Sequence, residues 1–183
     1  METLLTERLI IRNFTSEDGP ALYDYLSRPD VLKYEPGETE TEETCRFLAE
    51  ERSHTDHFLA VCLRDTGRLV GHLFVLHIEP LEFETWEIGY IFNPTFGKHG
   101  YATEAAWKLV DWLFRTQGAH RVIALCNPEN SDSWRLLERL GMRREGFFRK
   151  KAFFRRDEKD MPLWHDAYEY AVLEESWFKM HGR

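Results

Sequence analysis

With 183 residues, 43% of them hydrophobic, and thirteen Phe beside six Trp, the chain has the size of one domain, residues 1–183. At that length roughly 70% of the unfolded surface can be buried, so no disulfide or metal is needed to complete a core. A formal net charge of −8 disfavours general nucleic-acid binding and favours cationic ligands. Cys45, Cys62 and Cys126 are odd in number and lack metal-ligand spacing, which reads as buried thiols in a reducing cytoplasm and no metal site.

The opening METLLTERLIIRNF alternates apolar and charged residues, which suits neither a signal peptide nor a membrane span, so no membrane partner is expected. Residues Leu4–Phe14 read as a first strand. Thr15-Ser16-Glu17-Asp18 has the form of a helix start, leading through Leu22, Tyr25 and Leu26. A loop, RPDVLKYEPGETETEE, precedes a second helix near Thr41–Arg52. Three strands follow: His57–Arg64 and Arg68–Ile78 around the turn Asp65-Thr66-Gly67, then Phe83–Phe92.

The segment FNPTFGKHGYATEAAWKLVDWLF, Phe92 to Phe114, tightens around Gly97 and Gly100 and becomes an amphipathic helix to about Thr116. Ala102, Ala105, Ala106, Leu109, Val110, Leu113 and Phe114 share one face of it. Arg121–Cys126 is a short strand, and NPENSDSWRLLERLG is a capped helix ending at Gly141. Two long strands close the chain, about Arg144–Phe154 and Trp164–Glu174. The basic and aromatic run Arg143–Arg156 resembles single-strand nucleic-acid binders in composition. Its alternation fits a half-exposed hairpin strand, and that reading is adopted. The order β-α-α-β-β-β-α-β-α-β-β contains one β-α-β crossover, around the helix after Gly100, and hence a parallel pair in a mixed sheet. The fold class is α/β.

Ligands of open α/β sheets sit beyond the carboxyl ends of parallel strands, which is where Gly97–Ala102 falls. There Lys98, His99, Gly100, Tyr101, Ala102 and Thr103 can present backbone N–H groups at a helix N-terminus, forming a cradle for phosphate. The loop has neither the Lys-Ser/Thr of a Walker motif nor the three glycines of a dinucleotide fingerprint.

EIGYIFNPTFGKHGYATEA followed by HRVIALCNPENSDSWRLLERLGM resembles the GNAT superfamily of acyl-CoA-dependent N-acyltransferases. The branch containing the ribosomal-protein-alanine N-acetyltransferases is the most similar. The resemblance runs from LLTERLIIRNF to DAYEYAVLEESW. It implies a GNAT-type three-layer fold whose mixed, mostly antiparallel sheet splays at its one parallel pair. It also implies acetyl-CoA as acyl-donor cosubstrate. Gly100 and Ala102 match the family's phosphate loop, while Gly97 stands where Gln or Arg is usual. The strand at Tyr90-Ile91-Phe92 would bond the pantetheine arm as an added strand does. Asn130 matches a cofactor-contacting Asn and also suits a helix N-cap.

Acetyl transfer to an amine needs a base, because alkylammonium groups have pKa values near ~10, and donors for the oxyanion, for which the N–H of Ile91 or Phe92 is the family-like candidate. Glu87, two residues before Gly89, is the favoured base. His72 and His77 lie on opposite sides of their strand. The Tyr that often protonates the leaving thiolate is replaced by Leu137, so Ser133, three residues after Asn130, is taken as the acid, with Tyr168 in reserve. Direct attack by a primary amine is expected, the acceptor being a protein N-terminus or a small amine. Glu35, Glu38, Glu40, Glu42 and Glu43 are either a cation attractor or a solvated face. Trp164, Tyr168 and Tyr170 are candidates for the acceptor wall. The alternative function is non-catalytic CoA binding or sensing, and a homodimer is among the assemblies left open.

Overall fold

The computed structural model describes residues 1–182. Its strands are β1 (Leu4–Leu5), β2 (Leu9–Asn13), β3 (Phe58–Leu63), β4 (Leu69–His77), β5 (Thr85–Phe92), β6 (Arg121–Cys126), β7 (Arg143–Arg156) and β8 (Pro162–Leu173). Its helices are α1 (Gly19–Leu26), α2 (Glu42–Ser53), α3 (Tyr101–Thr116), α4 (Ser131–Arg139) and α5 (Glu174–His181). The strands form one sheet in the order β1-β2-β3-β4-β5-β6-β8-β7. The β5–β6 pair is parallel, and the remaining pairs whose registers are described run antiparallel.

Residues fall into two compact units. The first holds residues 1–33, 38–76 and 88–110; the second holds 34–37, 77–87 and the chain from 111 onward. In the first unit, α1 and α2 bury Leu22, Tyr25, Leu26, Cys45 and Ala49 against Phe14, Ala60, Cys62 and Leu69. The intervening β3 residues Leu59 and Val61 are also wholly buried. Since neighbouring side chains on a strand point to opposite faces, β3 is covered on both sides. The predicted face of α3 is buried at Ala105, Ala106, Leu109 and Val110 in this unit, and at Leu113 and Phe114 in the second.

Three local features differ from the sequence expectation. The first strand is two: Thr6 donates its N–H to the Leu9 carbonyl at 3.0 Å, and its hydroxyl accepts the Leu9 N–H at 2.8 Å. The chain therefore folds back and pairs Leu4 with Ile11. Ser16–Asp18 forms a 3₁₀ turn before α1. The end of the chain adds α5, fixed by Trp177, which is wholly buried and donates from Nε1 to Asp111 at 3.0 Å. Arg143–Arg156 is a hairpin strand at the sheet edge, paired with β8.

Asp18 anchors the entry to α1. It accepts two hydrogen bonds from Arg12, both 2.8 Å, and one from the Thr15 N–H, also 2.8 Å. Burial pushes its carboxyl up, but the Arg12 and Thr15 bonds outweigh it and the pKa ends below the usual range. A depressed carboxylate contributes stability above its unfolded pKa of about 3.9, and that contribution disappears as pH falls through the folded value. Asp18→Asn is therefore expected to lower the urea-unfolding free energy by about 1–3 kcal/mol near pH 7. The difference from the unsubstituted protein should shrink steadily below about pH 4.

Candidate active site

The glycine-bearing loop begins where β5 stops. Asn93 is buried; it donates its N–H to the Val70 carbonyl at 2.9 Å, and its side chain accepts the Thr95 N–H at 3.0 Å. The chain passes through a 3₁₀ turn at Pro94–Phe96, and the Gly97 N–H closes on the Pro94 carbonyl at 2.9 Å. Lys98 and Gly100 then adopt positive φ, 65° and 82°. The first helical bond of α3 runs from the Glu104 N–H to the Gly100 carbonyl at 3.0 Å. The N–H groups of Lys98, His99, Gly100, Tyr101 and Ala102 find no main-chain acceptor among the described residues, and Thr103 completes the first turn. Five such donors stand at the positive end of a sixteen-residue helix, an arrangement that favours anions. A Cβ at Gly100 would meet only the Arg8 Nη2, at 3.6 Å, so the front of the cradle is clear.

Arg8 is the loop residue that sequence reasoning missed. Its Nη1 donates to the His99 carbonyl at 3.0 Å, 91 residues away along the chain, and its Nε donates to Glu104 at 2.7 Å. The guanidinium stands 4.9 Å from the Tyr101 ring centre. Glu104 also accepts from the Thr6 hydroxyl and the Arg8 N–H, which ties the β1–β2 turn to the first turn of α3. No local pattern in the opening segment announces this role.

Tyr90, Ile91 and Phe92 lie in the same unit as the loop, at the end of β5. The parallel ladder has three rungs, Thr85↔Arg121, Trp86↔Val122 and Glu87↔Ile123, and goes no further. β5 nevertheless continues to Phe92, so the backbone from Ile88 onward runs past the end of the ladder.

The second unit holds Glu87, Asn130 and Ser133. Glu87 is half-buried, and its carboxyl is raised above its ordinary range by burial first, then by the nearby Glu169 charge, with Lys151 acting in the opposite sense. Asn130 caps α4, its side-chain oxygen accepting the Ser133 N–H at 3.2 Å. The Ser133 hydroxyl is hydrogen-bonded to the Cys126 thiol, which burial pushes up to about 11. Ahead of the helix, Tyr34 donates to the Glu129 carbonyl at 3.4 Å. Glu35, next to it, is half-buried and pushed up to about 7 by burial. Glu38, Glu42 and Glu43 are exposed, and Glu42 pairs with Arg46. Leu137 is wholly buried.

Tyr168 pairs across from Cys126 and lines an open groove of about 380 Å³ with Arg144, Glu145, Gly146 and Phe147. Tyr170 is buried and donates to Glu138 at 3.1 Å, while Trp164 is exposed. His72 is buried and bonded to the Tyr25 hydroxyl at 2.6 Å, which with its lowered pKa makes it a neutral core residue. His77 stacks on Trp86 with ring centres 4.4 Å apart. His165 meets Asn127, and Asp166 accepts the Lys150 N–H, so the two form no nucleophilic triad. No cluster of metal-binding side chains occurs among the described residues. No helix among them is long and apolar enough to cross a membrane.

A row of bare backbone N–H groups at the start of α3, after a strand that outruns its parallel ladder, is the arrangement expected of an acyl-CoA-dependent N-acyltransferase. The profile of the Acetyltransferase (GNAT) domain matches residues 8–143, and the chain belongs to that family. It is 40% identical over 175 residues to the uncharacterized N-acetyltransferase YnaD of Bacillus subtilis (strain 168), covering 95% of this chain and 98% of that one. The crystal structure of a GNAT-family acetyltransferase from Bacillus anthracis superposes with a TM-score of 0.86 at 38% identity, covering 95% and 99% of the two chains. More distantly, the [ribosomal protein uS5]-alanine N-acetyltransferase of Escherichia coli (strain K12) is 25% identical over 154 residues, 79% of each chain. The protein is an acetyl-CoA-dependent N-acetyltransferase. GNAT enzymes use acetyl-CoA as cosubstrate, and the five free N–H groups beside Lys98 and Arg8 suit its phosphates.

Proposed function

We propose that the enzyme transfers acetyl from acetyl-CoA to a primary amine by direct attack, the amine belonging to a protein N-terminus or a small molecule. The observation that carries this reading is the row of unpartnered N–H groups from Lys98 to Ala102. They hold the pyrophosphate, Thr103 completes the turn, and Gly97 and Gly100 keep the approach open. Asn130 contributes to the cofactor as well as capping α4. The pantetheine arm bonds to the backbone at Tyr90, Ile91 and Phe92. Because the Asn93 N–H faces β4, strand alternation turns the Phe92 N–H away from it, which favours Phe92 over Ile91 as the oxyanion donor.

Glu87 takes the proton from the acceptor ammonium, directly or through one water; a carboxyl held above its ordinary pKa is the better base near neutrality. Ser133 returns a proton to the CoA thiolate. An alkyl thiol such as Cys has a pKa of about 8.5, so this leaving group needs little help, and the loss of the usual Tyr at Leu137 is tolerable. Accordingly Ser133→Ala is expected to lower kcat by about tenfold or less, below the 10²–10⁴-fold span of general acid–base catalysis. Single-turnover rates would check this, and an unchanged rate removes Ser133 from the mechanism. The protein as a whole is tested by calorimetry with acetyl-CoA, followed by thiol release with peptides and small amines. Binding with thiol release supports the reading. Binding without release from any acceptor would mark a CoA sensor, and no binding at all would sink both.

A further inference from the structure

Arg52, in the last turn of α2, carries a charge that the fold leaves unanswered. Its guanidinium stands 4.3 Å from the Phe58 ring centre and 5.5 Å from that of Phe14. Its Nη1 is buried with no hydrogen-bond partner. Among the described residues it forms no ion pair; Glu51 and Glu40 act on it only through space, and burial lowers its pKa. A guanidinium cannot escape by deprotonating, and a desolvated, unpaired charge is costly.

Its surroundings have the form of a box. Tyr25 and His72, neutral and bonded to each other, lie beside it; His72 is 6.2 Å from Phe14 and 6.1 Å from Phe58, ring centre to ring centre. Phe74 stands 5.3 Å from Phe58 and extends the wall, and both rings are partly exposed. Phe74 also abuts β5 at Gly89, where an added Cβ would come within 3.5 Å of the Phe74 Cβ. Ile91 packs against the same cluster. The aromatic walls thus reach the strand that carries the proposed oxyanion donor.

Resting on the acetyl-transfer reading above, we infer that this box receives the acceptor and that Arg52 pairs with a carboxylate on it: the acceptor is an amine with an apolar body and an anionic group, as in an apolar α-amino acid. The paired guanidinium and carboxylate make charge-assisted, bidentate hydrogen bonds.

The test compares matched acceptors with saturating acetyl-CoA: L-phenylalanine against L-phenylalaninamide, and L-leucine against L-leucinamide. The carboxylates are expected to have kcat/KM at least about tenfold above the amides, the scale of one charge-assisted contact. Arg52→Met should bring each ratio to about one while leaving the amide rates within a few-fold. In parallel, 3-phenylpropionate should raise the Tm of the unsubstituted protein and leave that of Arg52→Met unmoved. The variant itself should melt no lower than the parent, because it removes a buried unpaired charge. A drop in its Tm, with all acceptors slowed alike, assigns Arg52 to packing and overturns the inference. So do amides turned over as well as carboxylates, or turnover of neither while calorimetry shows acetyl-CoA bound. Loss of acetyl-CoA binding in the parent protein would instead be a failure of the transferase reading.

Discussion

Replacing Gly100 with Trp is expected to weaken acetyl-CoA binding by at least about 100-fold, or about 2.7 kcal/mol. Two independent causes converge on that position. Gly100 sits at φ 82°, where a side-chain-bearing residue is strained by on the order of 1–3 kcal/mol. An indole there would also project across the row of N–H donors that a phosphate must approach. The loop is exposed at Gly100, so the cost falls on the ligand site and leaves the core untouched. Gly100→Ala separates the two causes, because it keeps the strain and adds little bulk; its loss should be intermediate. Calorimetry with acetyl-CoA and with CoA measures both variants, and circular dichroism confirms that each melts cooperatively. Unaltered affinity in Gly100→Trp would place the phosphates elsewhere.

Glu87→Gln should separate activity from stability in opposite directions. If Glu87 is the base, kcat at neutral pH falls by roughly 10²–10⁴-fold. The acid limb of the kcat/KM profile, set by the raised carboxyl, should flatten as well. Stability responds with the other sign. A Glu has a pKa of about 4.3 when unfolded, and burial with the Glu169 charge raises it in the fold. Its contribution is therefore fully present below the unfolded value and is lost as pH rises through the folded one. Near pH 7 the ionised group is a burden that Gln does not carry. The variant should have a Tm equal to or a few degrees above that of the parent, about 2–4 °C for each kcal/mol in a chain of this size. Turnover unchanged at every pH would remove Glu87 as the base.

Legibility in the sequence followed the range of the interactions. β6 and the body of α3 were readable to within a residue because hydrophobic period and turn residues are local signals. The turn ahead of α3 was readable for the same reason: Gly97, Gly100 and the helix start are contiguous. Thr6, by contrast, breaks the first strand through a turn with Leu9 that the unbroken alternation of the opening segment conceals. Trp177 holds α5 through Asp111, 66 residues away in sequence, and no nearby residue signals that pairing. Arg8 is a partner of the loop only once the β1–β2 turn lies beside the first turn of α3. Arg52 was invisible as a candidate because its interest lies in a missing partner, and only coordinates reveal which charges go unmatched. Period and spacing carry what neighbours in sequence decide, and the rest depends on closure of the chain.

The proposed phosphate cradle relies mainly on main-chain amides, with the Arg8 guanidinium at its flank and the Lys98 and His99 side chains carried on the same loop. Neither the amides nor the guanidinium gains or loses a proton anywhere near neutrality. Recognition of the donor by these amides and the guanidinium is thus little affected by acidity, and KM for acetyl-CoA should vary less with pH than kcat does. A pH–rate profile of this enzyme would then report chiefly the acceptor and its base, and His99→Gln would show how much of it the donor loop contributes.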